Sequence, residues 1–128
     1  MRPSKSVEHA QQLLTALAGS PITTLTHLDL SYNDAWFKGD TEDLQMLGLL
    51  MPFIAKQTQL KQLIMFDCGL SAAHLTTIFT SLKMSSCYAT LEKLIIYSNQ
   101  FDTSESLSTA VAEFLAHATN LKVIDIRF

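Results

Sequence analysis

The residues through which this chain could do covalent or metal chemistry are few and scattered. The four histidines, His9, His27, His74 and His117, lie far apart and form no H-E-x-x-H motif. The two cysteines, Cys68 and Cys87, form no C-x-x-C pair, so a structural zinc site is not expected. Cys68 could be a nucleophile, but its place at the close of LKQLIMFDC reads as a turn residue, and Cys87 lacks a base nearby in sequence. The four glycines, Gly19, Gly39, Gly48 and Gly69, fit neither a phosphate-binding loop nor a dinucleotide fingerprint. The acidic run GDTED, with Asp40, Glu42 and Asp43, could attract a cation. Its simpler reading is a helix start, with Asp40 or Thr41 as cap and acid beside the positive end of the helix dipole. The expectation is no enzyme, no cofactor and no metal.

Bulk composition narrows the classes further. The 128 residues suit one domain, and 48% hydrophobic content is enough for a core. Charged residues make up 16% and the net charge is -3, without a run of Lys or Arg. That balance argues against nucleic acid or an anionic membrane as partner. Two cysteines make no disulfide framework, which points to reduced thiols and a cytoplasm-like reducing compartment. The apolar run Leu44 to Ala55 is too short to span a bilayer and reads as a core helix. The apolar run Leu13 to Ala18, interrupted upstream by Glu8, His9, Gln11 and Gln12, is too short for a signal peptide.

The stronger signal is repetition. LTHLDLSYN, LKQLIMFDC and LEKLIIYSN begin at Leu25, Leu60 and Leu91, and LKVIDIRF begins at Leu121. The spacings are 35, 31 and 30 residues, a period that marks stacked supersecondary units. Within each phrase Leu28/Leu30, Leu63/Met65, Leu94/Ile96 and Ile124/Ile126 alternate with period two, so each is a short strand with one face inward. Between them the spacing is helical. Leu107, Ala110, Val111, Phe114, Leu115 and Ala118 form one stripe, with Thr103 or Ser104 as cap. Leu75, Ile78, Phe79 and Leu82 form another, capped by Ser71, and Ala10, Leu13, Leu14 and Leu17 make a first helix. A further helix over 41–57 contains Pro52, which predicts a kink or two shorter helices. Cys87 is expected in a loop. Strands joined by helices on one side must be parallel. A doubly wound sheet is the rival fold, but it does not explain the repeated closing residue at Asn33, Cys68 and Asn99.

At those residues, in the pattern L-x-x-L-x-L-x-x-N/C, the chain resembles the leucine-rich repeat family, and its repeat length resembles the ribonuclease-inhibitor type. The resemblance covers roughly residues 22 to 128. It implies an α/β solenoid, with short parallel strands on a concave face and helices on the convex face. The organisation is one domain over 1–128: an N-terminal helix or cap over 1–21, repeats from 25, 60 and 91, and a partial repeat from 121. The resemblance also implies that Asn33, Cys68 and Asn99 bond backbone groups in the turn after each strand; a thiol is the weaker donor, so the second turn is expected to be looser. The fourth phrase stops one residue before its closing position, so the chain is expected to be a piece of a longer array or to expose an edge strand that pairs with something. Family members include eukaryotic receptors and inhibitors and the effectors that intracellular bacteria deliver into hosts. A Thr-, Gln- and Ser-rich, Arg-poor composition leans towards the effector group.

If the leucines face inward, the residues between them face outward. These are His27, Asp29 and Ser31; Gln62, Ile64 and Phe66; Lys93, Ile95 and Tyr97; Val123, Asp125 and Arg127. Strands about 4.8 Å apart would gather Ile64, Phe66, Ile95 and Tyr97 into one apolar block, with Asp29, Lys93, Asp125 and Arg127 around it. An apolar centre with aromatic anchors and a charged rim is the anatomy of a protein-binding site. The plainer explanation is β-propensity and cross-strand packing. Trp36 and Phe37 either plug the long first connection, the favoured reading, or extend the binding surface. The expectation is therefore a protein-interaction module. The alternatives are self-association through the C-terminal edge strand, or the recognition part of an enzyme whose catalytic domain lies elsewhere.

Overall fold

A computed structural model describes residues 7–31, 45–65, 68–96 and 105–126, with the side chains of 7–10 excepted. Helices and strands alternate: α1 (Val7–Ala18), β1 (His27–Asp29), α2 (Gln45–Ala55), β2 (Gln62–Ile64), α3 (Ala72–Met84), the one-turn α4 (Cys87–Thr90), β3 (Lys93–Ile96), α5 (Glu105–His117) and β4 (Val123–Ile126). The strands form one parallel sheet in the order β1-β2-β3-β4. The protein is thus α/β, and each strand lies beside its sequence neighbour.

The sheet register follows the repeated phrases. Leu28 pairs with Leu63, Leu63 with Leu94 and Leu94 with Ile124, offsets equal to the phrase spacings. The entry to each strand is also the same. Thr26 O accepts from Lys61 N at 2.8 Å and Gln62 N at 3.0 Å. Lys61 O does so from Glu92 N and Lys93 N, and Glu92 O from Lys122 N and Val123 N, again at 2.8 and 3.0 Å. One backbone arrangement is therefore repeated at three successive junctions. The period-two pattern explains it, because a one-residue slip would turn every leucine of a strand away from the core.

Leu63, Met65, Leu94 and Ile96 are fully buried in one cluster with the apolar residues of the helices. Helices pack in chain order, α1 on α2, α2 on α3 and α3 on α5. Phe79 of α3 meets Phe114 of α5 edge to face, with ring centroids 5.4 Å apart. Such a pair adds about 0.5–1.5 kcal/mol beyond the area it buries.

Two expectations about local structure need correction, the first in its division into two shorter helices. Pro52 does not divide its helix: α2 runs unbroken from Gln45 to Ala55. An interior proline costs about 3 kcal/mol. But Met46, Leu47, Leu50, Met51, Phe53 and Ile54 are all buried by this helix, each contributing roughly 1.5–3 kcal/mol. Pro52 and Gly48, whose carbonyl its ring displaces, are both exposed, so water can satisfy the freed group. Cys87 opens the helix α4 instead of sitting in a loop, and it is fully buried. Residues 39–44, including the acidic capping cluster, lie outside the described residues, as do Thr103 and Ser104.

Candidate functional site

Two rows of side chains cross the sheet on the face opposite the buried leucines. Pairing aligns Asp29, Ile64, Ile95 and Asp125 in one row and His27, Gln62, Lys93 and Val123 in the other. Ile64, Ile95, Gln62, Lys93 and Asp125 are half-buried, whereas His27, Asp29 and Val123 are exposed. Alternation along each strand produces this sorting, since Leu63 and Leu94 on the other face have no exposure at all. The central pair Ile64–Ile95 thus presents β-branched apolar surface, flanked on both sides by carboxylates. Asp29 Oδ1 accepts from Ser31 N at 2.9 Å, which fixes that carboxylate near the end of its strand. Phe66, Tyr97 and Arg127, the remaining residues expected in the patch, lie outside the described residues, as do Trp36 and Phe37.

The cysteines occupy buried structural positions. Cys68 is fully buried and its thiol donates to Leu30 O at 3.0 Å, tying the turn after β2 to the end of β1. A thiol, the weaker donor, nonetheless makes the cross-repeat bond. Gly69 follows with φ of 75°, a left-handed turn that glycine adopts without a side-chain penalty. Cys87 Sγ donates to Ile54 O at 3.4 Å. Burial pushes the Cys87 thiol above its ordinary pKa, partly opposed by hydrogen bonding to Ser85.

Two polar residues that the sequence reading passed over hold this frame. Gln57 is fully buried, yet all its side-chain groups are engaged. Its Nε2 donates to Ile22 O at 2.7 Å and Phe53 O at 2.9 Å, and its Oε1 accepts from Leu25 N at 2.9 Å. Thr58 N and Lys56 Nζ bind Thr23 O and Ser20 O beside it, so the chain entering β1 is stitched to the end of α2. His74 caps α3 together with Ser71, the expected cap. Ser71 Oγ accepts from His74 N, and His74 Nδ1 accepts from Ser71 N at 3.1 Å. An S-x-x-H spacing is the signal that could have revealed this variant of the capping box.

Elsewhere the surface offers less. Among the described residues no three His, Cys, Asp or Glu side chains gather as metal ligands, and no helix is long and apolar enough to cross a membrane. A groove of about 380 Å³ between α3 and α5 is lined by Thr76, Thr80, Thr109 and Glu113 among others. Its Thr76 and Thr80 hydroxyls are engaged by carbonyls of their own helix. No family model matches the chain, and no curated protein matches its sequence. The geometry of the sheet face is therefore what bears on function.

Proposed function

We propose that this protein is a small leucine-rich-repeat solenoid of the ribonuclease-inhibitor type that binds another protein through the open face of its sheet, without covalent chemistry. One observation carries the reading: pairing register brings Ile64 and Ile95 together, half-buried, between the carboxylates of Asp29 and Asp125. Ile64 and Ile95, with Phe66 and Tyr97 of the same sequence phrases, supply apolar contact. Asp29, Lys93, Asp125 and Arg127 set orientation and exclude wrong partners. The repeated phrase and its conserved offset in the sheet support the family assignment. The effector-like composition makes a host protein in a reducing compartment the partner of choice.

The test is the double change Ile64→Thr and Ile95→Thr, which keeps β-branched side chains and removes apolar surface. Partners captured from cell lysate would be identified and the purified partner titrated against wild type and variant. The expected result is at least about tenfold weaker binding by the variant, the loss of a central contact. Ala112→Glu, on the exposed side of α5, is the control and should bind as wild type. Unchanged affinity in a double variant that still melts cooperatively would reduce the two isoleucines to strand packing.

A further inference from the structure

Charge is spread unevenly over the described residues of the open sheet face. Lys93 pairs in register with Val123, and Ile95 with Asp125, so Lys93 and Asp125 are diagonal neighbours of opposite sign. Asp29 has no cationic neighbour of that kind among the described residues. Ile64 is beside it on β2 and Gln62 is diagonal to it, both uncharged. His27, two residues earlier on the same face, hydrogen-bonds through Nδ1 to Thr26 Oγ1 at 2.9 Å. Lys93 is two strands away from Asp29, and the carboxylate nearer to it by register is Asp125. The Asp29 carboxylate is exposed yet oriented, since its Oδ1 accepts from Ser31 N at 2.9 Å. Ile64 beside it and Ile95 beyond are half-buried.

We propose that the partner protein meets this face with an arginine on Asp29 and, two residues along the same extended segment, an apolar side chain over Ile64 and Ile95. The proposal deepens the open-face reading above and rests on it. Charge balance selects the cation: Asp29 is the carboxylate of this face that no described neighbour offsets, and the chain as a whole carries a net charge of -3. Arginine fits better than lysine, because an oriented carboxylate accepts its planar fork through two oxygens. Its aliphatic stem can also lie along Ile64. Spacing selects the apolar residue. Strands about 4.8 Å apart put the centre of the Ile64–Ile95 pair about 7 Å from Asp29 along the row. An extended segment crossing the strands carries side chains on one side about 6.8 Å apart, so an Arg-x-apolar sequence spans that distance.

Panning a displayed library of short random peptides on the full chain tests this. The enriched peptides should carry Arg-x-apolar sequences, and one of them, synthesised, is titrated against wild type and variants. Asp29→Asn keeps an acceptor for Ser31 N and removes the charge. It should weaken binding about three- to tenfold at low salt, with the loss fading at high salt. Asp29→Lys, melting cooperatively, should select peptides with Asp or Glu at the arginine position. Ile64→Thr/Ile95→Thr separates the two readings. Peptides lost by that double variant but bound equally by wild type and Asp29→Asn leave the open-face site standing and overturn the arginine contact. Peptides sensitive to Asp29→Asn alone place the contact away from the isoleucine pair and overturn the proposed spacing. Peptides that bind both variants as they bind wild type, or a selection that enriches none, overturn both readings.

Discussion

Gln57 joins the first two units through one buried amide. Replacing it with leucine keeps the volume and leaves Leu25 N, Ile22 O and the shared Phe53 O short of a partner. A group orphaned in the interior costs about 1–3 kcal/mol, and the part-buried Leu25 N and Ile22 O less than the buried Phe53 O. Gln57→Leu should therefore lower stability by roughly 2–4 kcal/mol. Urea unfolding would show it as a lower midpoint with an unchanged slope, while exposed Gln59→Leu should stay within about 0.5 kcal/mol of wild type. Cys87 makes a second prediction at this scale. Its thiol is held neutral by burial, so its folded pKa lies above its unfolded one. The stability this gives is fully present below the unfolded value, about 8.5. It is lost as pH rises through the folded value, because the unfolded chain ionises first. Thermal midpoints measured from pH 7 to 10 should fall more steeply for wild type than for Cys87→Ala; parallel curves would contradict the assigned cause.

Leu94 and Ile124 hold the same slot on adjacent strands, yet one is sealed and the other is open to water. Cavity formation should make Leu94→Ala cost about 3 kcal/mol, within the range for buried leucine. Ile124→Ala leaves less of a void and should cost about 1 kcal/mol. Equal losses in chemical denaturation would contradict a burial difference between the two slots. The strand elements and the stripes of α3 and α5 are legible in sequence because alternation and helical periodicity are local. The survival of α2 through Pro52 is not, since local propensity argues for a break and six buried side chains outweigh it. The same holds for α4, a single turn too short to carry a periodic signal and held by Cys87 reaching Ile54 O.

At the scale of the molecule, the sheet separates two environments. Leu63, Met65, Leu94 and Ile96 lie in the core with the helices, while Ile64 and Ile95 lie half-buried on the open face between the carboxylates of Asp29 and Asp125. Under the reading proposed above, changes on the open face act on partner binding and leave the core intact. Ile64→Thr/Ile95→Thr should therefore weaken binding while shifting the urea midpoint far less than Leu94→Ala does.

The sequence by itself determined the four described strands and their mutual offset, and it set Leu63 and Leu94 inward against Ile64 and Ile95 outward, because a side-chain period of two and a unit spacing near thirty are properties of the linear pattern. It also placed Ile64 and Ile95 as neighbours, since equal phrases pair in equal register. Only the tertiary structure decided how the units are joined. Gln57 meets Ile22 and Leu25 across more than thirty residues, and Cys68 meets Leu30 across 38. Those bonds depend on where a folded turn delivers a donor to a carbonyl of the neighbouring unit. The exposure of Ile124 against the burial of Leu94 was decided there too, because identical patterns differ only in what packs beside them.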